Sequence, residues 1–427
     1  MNLLLYNIAL RLYWLFIKVA GPFNKKAKLW SEGRKDLISR LKIKLKDNKA
    51  PIAWFHCASL GEFEQARPVI EKLRISARDK KNPHKEQEKF KILLTFFSPS
   101  GYEIRKNYEG ADYIFYLPLD TKSNAKEFIE VANPAIAFFV KYEFWYYYLN
   151  ELKENNIPVI SFSAFFRRDQ VFFRSYGIFY KNILKKFNRI FVQNEESYNL
   201  LKSISIENAE IGGDTRFDRV KEICDHKKSI AIAEKFKDNK KVLVIGSSWP
   251  EDMRVLVPFI NTFDENLKLI IAPHELHEKD LANLETSITG KSIRFSKANL
   301  NEVAQYDVLI IDNIGMLSSI YQYGEFAYIG GAFGKGLHNI LEAATYGMPV
   351  FFGPDYKKFN EASELVKLGS GFPVKDQHEF TEAFSRLWKD ENLRLSVAKK
   401  SRLFIENNIG ATDKILSYCQ TILEDKI

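Results

Sequence analysis

The stretch IAWFHCASLGEFEQARPVIEKLR, residues 52–74, changes character at its middle. Its opening IAWFHCAS (52–59) is an apolar run of the length of a buried strand. EFEQARPVIEKLR (62–74) spaces its apolar residues as an amphipathic helix does. A strand running straight into a helix is the start of a βαβ unit.

The same change recurs along the chain. KILLTFFS (91–98), YIFYLPLD (113–120), AIAFFVK (135–141), PVISFSA (158–164) and RIFVQNEES (189–197) are strand candidates, each followed by helix-like sequence. After residue 240 a second series follows: KVLVIGSS (241–248), LKLIIAP (267–273), DVLIIDN (307–313), EFAYIGG (325–331) and MPVFFGP (348–354). Strands alternating with helices predict right-handed crossovers and parallel sheets. Two series predict an α/β chain of two doubly wound Rossmann-like domains, at 25–205 and 241–400. Residues 206–240 connect them, and a C-terminal helix (401–427) can pack back on the first. Ligands bind such sheets at the carboxyl ends of the strands, so two facing domains are expected to place the site in a central cleft. RDKKNPHKEQEKFK (78–91) reads as a solvated surface loop.

With 427 residues, 46% of them apolar and 27% charged, a folded chain with a large core is expected. Cys57, Cys224 and Cys419 are too few and too scattered for a disulfide framework or a zinc site, which favours a reducing compartment. The net charge of +9 sits wholly within residues 1–50. A nucleic-acid enzyme would spread its basic charge over a binding face, so no nucleic-acid partner is expected. Residues 1–24 are apolar but interrupted by Arg11 and Lys18, and Lys25, Lys26, Lys28, Arg34, Lys35 and Arg40 follow. An apolar helix followed by a polybasic run fits a membrane-surface anchor over residues 1–30, attracted to anionic lipid. Spanning and lying in the interface both remain open.

The chemistry-bearing residues gather at predicted strand ends. His56, Cys57 and Ser59 suggest a hydrolase, but CASLG lacks the first glycine of a nucleophile elbow. His56 and Cys57 are adjacent on a strand and point to opposite faces. All three are expected in packing and turn roles. Glu62 opens a helix just after a strand, either as an acid on the helix dipole or as a carboxylate at a site. Ser98 in FFSPSGYE, and Lys141 and Glu143 in KYEFW, stand at two further strand ends; Lys141 and Glu143 also fit a simple surface pair. Ser247 and Ser248 in GSSWPED are cap candidates for a helix with Pro250 at its first position. IGGAFGKGLHNILEAA (329–344) completes neither a P-loop nor Gly-x-Gly-x-x-Gly. It is expected to open a helix near His338 and to offer backbone N–H groups to a phosphate, with Glu342 on the same helix face as His338. No Asp-x-Asp pair for a divalent metal occurs in the chain.

In one order, HCASLGE, FFSPSGYE, YLPLD, KYEFW, VQNEES, GDTRFDR, GSSWPED and IGGAFGKGLHNILEAATYGMPV resemble the 3-deoxy-D-manno-octulosonic acid (Kdo) transferase family. The resemblance runs from the N-terminal anchor past residue 370. It implies a GT-B type fold and an inverting glycosyltransferase at the cytoplasmic face of the inner membrane. That enzyme moves Kdo from CMP-Kdo to a lipid A precursor in lipopolysaccharide biosynthesis, with no metal and no cofactor. By the resemblance Glu62 is the general base and Glu143 an acceptor-orienting partner. Gly334, Gly336, Asn339 and Glu342 would hold CMP, with backbone contacts from Gly315, Met316 and Leu317. Ser247, Ser248, Pro273 and His274 complete the donor side, and Ser59, Gly61, Ser98 and Lys141 the acceptor side. Two departures stand out. Pro273-His274-Glu275 replaces a frequent Pro-Arg-His, and Tyr146 follows KYEFW where proline is frequent. The alternatives are a GT-B transferase for another nucleotide sugar and a non-catalytic membrane-surface saccharide-binding protein.

Overall fold

Side chains buried on both faces make the first series of apolar runs into strands. In the computed structural model, which describes residues 3–77, 90–263 and 266–424, these are β1 (Ile52–Cys57), β2 (Lys91–Phe96), β3 (Tyr113–Tyr116), β4 (Pro134–Val140), β5 (Val159–Ala164), β6 (Arg189–Val192) and β7 (Ala209–Ile211). They pair in parallel in the order β3-β2-β1-β4-β5-β6-β7. Along β1 the side chains alternate between two apolar clusters, Ile52 and Trp54 in one, Ala53, Phe55 and Cys57 in the other. Trp54 meets Phe128, Phe139 and Tyr148. Phe55 stacks on its register partner Phe138 with ring centroids 4.3 Å apart. Full burial of a side chain of this size contributes roughly 1.5–3 kcal/mol, so this central strand anchors both layers. The loop expected at 78–91 falls mostly outside the described residues.

Three helices precede β1. They are α1 (Leu3–Ala20), α2 (Lys25–Glu32) and α3 (Leu37–Leu45). Among the described residues α1 alone is long and apolar enough, by length and composition, to cross a membrane. It buries only Tyr6, whose hydroxyl donates to Asp120 Oδ2 at 2.5 Å. Asn24 caps α2 by accepting from the Lys26 and Ala27 N–H groups. Leu37, Leu41 and Leu45 of α3 recur every fourth residue and are buried.

The second series gives β8 (Lys241–Ser248), β9 (Leu267–Pro273), β10 (Ser292–Arg294), β11 (Val308–Ile310), β12 (Phe326–Ile329), β13 (Val350–Phe352) and β14 (Gly371–Pro373). Their order is β10-β11-β9-β8-β12-β13-β14, again all parallel. Leu243, Ile245, Phe326, Tyr328 and Phe351 of this sheet pack with Phe380 and Phe384 from a flanking helix. The chain divides into two compact units, Met1–Asp218 with Ile409–Ile427, and Arg219–Asn408. In the first unit Asp218 accepts from the Gly410 and Thr412 N–H groups and the Thr412 hydroxyl. This capping fixes the start of the helix Ala411–Glu424, which buries Ile415 and Cys419.

The strand order turns back between β1 and β4 in the first unit and, in the second, where β10 also lies outside β11, between β8 and β12. There the connections leave neighbouring strands on opposite sides and open a crevice at their carboxyl ends.

Candidate active site

In the first unit β1 leads into α4 (Leu60–Ala77), β2 into α5 (Pro99–Arg105), β3 into α6 (Lys122–Ala132) and β4 into α7 (Tyr146–Glu154). Glu62 stands in the first turn of α4, at the turning point of the sheet. The Ser59 N–H donates to Glu62 Oε2 at 3.0 Å, and the Ser59 hydroxyl donates to the same oxygen. This is the returning half of a capping box, so Glu62 does serve the helix terminus. Its Oε1 makes no hydrogen bond among the described residues, and the side chain is half-buried. Gly61 beside it is exposed and not in the left-handed region. A Cβ there would meet only the Ser59 hydroxyl oxygen, at 3.8 Å, so the fold itself does not demand glycine.

Ser98 is the N-cap of α5 and accepts from the Ser100 N–H at 3.2 Å. Its own N–H donates to Ala58 O at 2.7 Å, which draws this loop against the β1–α4 turn. Lys141 follows β4 with φ of 65°, a left-handed conformation that is costly for a side chain with a Cβ and clusters at functional sites.

His56 departs from its expected packing role. It is completely buried, and its Nε2 lies 3.2 Å from Glu143 Oε2. Its Nδ1 lies 2.9 Å from Thr95 Oγ1, which also accepts from Trp54 Nε1 at 2.8 Å. Trp145 Nε1 donates to Glu143 Oε2 at 2.6 Å. Glu143 is thus held from two sides, and its partner is His56 rather than Lys141. Strand alternation puts His56 on the face away from Cys57, and β1–β4 pairing brings Glu143 over it. Cys57 is the buried hydrophobe expected of it. Burial raises its thiol well above the ordinary range, and the carboxylates of Glu62 and Glu143 add to the effect. Both acids therefore lie close to one strand end.

Asp120, at the end of YLPLD, accepts from the Tyr147 and Tyr148 N–H groups at 3.0 Å and caps α7 from a distance. Burial raises its carboxyl to about 6, against the lowering pull of these bonds.

In the second unit the candidate residues collect at the ends of β8, β9, β11 and β12. Ser247 and Ser248 are the last residues of β8 and do not cap the next helix, Pro250–Thr262. Trp249 takes the cap position, because a bulge between Gly246 and Ser248 carries the strand one residue further. Ser247 has φ of 51°, and the Ser248 hydroxyl is buried without a partner among the described residues. The His274 N–H, just past Pro273, donates to Ser248 O at 2.9 Å. The His274 ring stacks on Trp249 with centroids 4.4 Å apart and lies equally close to His338. Trp249 Nε1 donates to His338 Nε2 at 3.0 Å. Burial, then the neighbouring His274, pulls His338 down to about 4, so its ring is neutral at physiological pH.

The glycine-rich stretch forms a loop where a helix was expected from His338. The helix runs only from Leu341 to Thr345, because Asn339 Oδ1 accepts from the Leu341 N–H and starts it there. His338 and Glu342 therefore do not share a helix face. Glu342 instead accepts from Asn339 Nδ2 at 3.0 Å and from the Ser318 hydroxyl at 2.8 Å. The second bond ties this loop to the turn of Gly315, Met316 and Leu317. Gly334 and Gly336 both have φ near 100° with open space around them. A Cβ on Gly330 would strike Ser247 O at 2.3 Å, which is how closely the loop approaches β8.

Asp252 escaped the sequence reading. It accepts from the Trp249 N–H, the Gly331 N–H and the Tyr328 hydroxyl, all at 2.9 Å. It locks the glycine loop to the end of β8. Its place three residues after Trp249 is a capping-box spacing that could have revealed it.

Residues 35–219 match the family model described as 3-deoxy-D-manno-octulosonic-acid transferase (kdotransferase). The chain is 28% identical over 367 residues to a 3-deoxy-D-manno-octulosonic acid transferase of Aquifex aeolicus, covering 84% of this chain and 92% of the relative. It is 26% identical over 420 residues to the protein of that name from Rickettsia prowazekii, covering 94% and 87%. Among solved structures it is similar to UDP-GlcNAc 2-epimerase from Neisseria meningitidis, with a TM-score of 0.59 at 16% identity, covering 87% of this chain and 100% of that one. That likeness concerns the fold, which is of the GT-B type.

Proposed function

We propose, from the match of residues 35–219 to the 3-deoxy-D-manno-octulosonic acid (Kdo) transferase model and the likeness to transferases of that name, that this chain is a glycosyltransferase that moves Kdo from CMP-Kdo to a lipid A precursor with inversion. The observation that carries the reading is Glu62, beside the turning point of the first sheet, with Oε2 held by Ser59 and Oε1 open. Glu62 takes the proton of the acceptor hydroxyl as that oxygen attacks the anomeric carbon of Kdo. The new C–O bond forms as the bond to the CMP phosphate breaks, and CMP leaves with the electron pair.

Glu143 accepts a further acceptor hydroxyl, with His56 and Trp145 fixing its carboxylate. Gly61 leaves room for the sugar, and Ser98 and Lys141 border it. On the donor side CMP lies along the ends of β8, β9, β11 and β12. Ser247, Ser248, Pro273 and His274 border it, Gly315, Met316 and Leu317 offer backbone groups, and Asn339 and Glu342 meet ribose hydroxyls. A five-residue helix has little macrodipole, so loop N–H groups near Gly334 and Gly336 and the cation of Lys335 meet the leaving phosphate, without a metal ion. Lys335 Nζ already lies 5.1 Å over the Trp249 ring. The exposed apolar face of α1 and the lysines of α2 hold the enzyme at the cytoplasmic face of the inner membrane.

The experiment is mass analysis of lipid after incubation with CMP-Kdo and a lipid A precursor, alongside binding of CMP, UDP and GDP. A Kdo-sized increment and preference for CMP are expected. Preference for UDP or GDP would assign another nucleotide sugar. Absence of product would favour a saccharide-binding role.

A further inference from the structure

The first unit contains a cavity of about 1060 Å³ between α1, α2 and the start of α6. Its charged lining is six cations, Arg11, Lys18, Arg34, Lys35, Lys122 and Lys126, and no acid. The first five have no ion-pair partner among the described residues, and Lys126 meets only the exposed Glu130, at 3.8 Å. Arg34 forms the floor. It donates to the carbonyls of Leu117, Trp30 and Phe97 at 2.7–3.1 Å and lies 3.9 Å from the Trp30 ring centroid. Carbonyls and rings orient a guanidinium but do not neutralise it, and three bonds leave it N–H donors to spare. Burial lowers Arg34 to about 9, as for a cation without a carboxylate. Six like charges around one cavity repel each other unless an anion joins them.

Helix α1 says where that anion comes from. At about 100° per residue it has three faces. Tyr6 and Tyr13 turn toward the protein, where Tyr13 packs on Trp30 and Phe97. Leu10, Arg11, Trp14 and Lys18 line the cavity. Leu4, Leu5, Ile8, Leu12, Leu15, Phe16 and Val19 form the third face, all exposed. The cationic cavity thus opens alongside an apolar stripe, the arrangement of a charged headgroup beside its acyl chains.

We propose that this cavity binds the phosphate headgroup of a bilayer lipid, with a phosphomonoester preferred over a phosphodiester, while the acyl chains lie along the exposed face of α1. A phosphomonoester carries about −1.5 to −2 charges at neutral pH and three strong acceptor oxygens. It answers the uncompensated cations better than a singly charged diester. The inference rests on the membrane association proposed above and adds a defined site to it.

The test measures partitioning of the full-length chain onto phosphatidylcholine vesicles doped with phosphatidic acid, or with phosphatidylglycerol matched for surface charge. Lys35→Glu/Lys122→Glu reverses two cavity cations. Lys25→Glu/Lys28→Glu reverses two exposed α2 cations outside the cavity and is the control, and thermal melts check that both variants fold. Wild type is expected to prefer phosphatidic acid by roughly ten-fold, the scale of one charge-assisted hydrogen-bonded group. The cavity variant loses that preference, while the control binds both vesicles less and keeps it. Equal binding of wild type to both vesicles, or equal loss of preference in both variants, overturns the proposal. So does saturable stabilisation by inorganic phosphate in detergent, which would assign a free-anion site. A wild type that binds no vesicle of any composition overturns both this site and the membrane reading, whereas loss of selectivity alone leaves the membrane reading standing.

Discussion

His56 Nε2 lies 3.2 Å from Glu143 Oε2, with the imidazole wholly buried between Thr95 and the carboxylate. Glu143 accepts from the His56 Nε2–H, while Nδ1 meets the Thr95 hydroxyl, which also donates to Phe55 O at 3.3 Å. The pair joins the ends of β1 and β4, the two strands that flank the turning point of the sheet. His56 is therefore a positioning residue for Glu143.

Replacing His56 tests that link. His56→Phe keeps the bulk but strips Glu143 of a partner, and should cost about 1–3 kcal/mol of stability. It should also slow turnover about ten-fold, roughly 1.4 kcal/mol in the barrier. Urea unfolding and steady-state kinetics read the two effects, and His56→Gln, which can still donate to Glu143, should recover part of the rate. Unchanged turnover in His56→Phe would leave the imidazole a purely structural group.

Gly61 separates fold from function. A methyl group there meets open space, and alanine in a helix is favoured over glycine by roughly 0.5–1 kcal/mol. Gly61→Ala should therefore be at least as stable as wild type in urea, yet raise KM for the lipid acceptor. Wild-type kinetics would show that no substrate approaches that surface.

The His338 ring sets a pH dependence. Its folded value of about 4 lies below the unfolded value of 6.5, so folding excludes a proton. Stability from this group is present above the unfolded value and is lost as pH falls from 6.5 toward 4. Protonation at Nε2 would also break the bond from Trp249. Thermal melts should decline over this acidic window, and His338→Phe should flatten the decline. A ring titrating near 6.5 by NMR would contradict the buried neutral state.

Asp218 belongs to GDTRFDR, one of the stretches that carried the family resemblance, yet its bonds are structural. Removing the cap with Asp218→Ala should cost about 0.5–2 kcal/mol and loosen the helix Ala411–Glu424. CMP affinity, measured by calorimetry, should not change.

The sequence was most legible where the apolar signal was long. The runs at 241–248 and 267–273 are β8 and β9 from end to end, because both are buried on both faces. The three-residue strands β7, β10 and β14 were not read, since AEI, SIR and GFP carry no run long enough to stand out. The helix expected at His338 begins at Leu341, because Asn339 starts it there. His56 was misjudged for a different reason. Alternation tells which face a strand residue takes, but the group opposite it comes from a strand far away in the sequence. Glu62 was placed at a strand end by position, and its bond to Ser59 bears out the capping reading.

Glu62→Gln is the most direct test of the central claim. Glutamine still offers an oxygen to the Ser59 N–H, so folding and CMP binding should survive. It cannot take a proton at neutral pH, so Kdo transfer from CMP-Kdo should fall by about 10²–10⁴-fold. Transfer at the wild-type rate in a folded, CMP-binding Glu62→Gln protein would contradict the account.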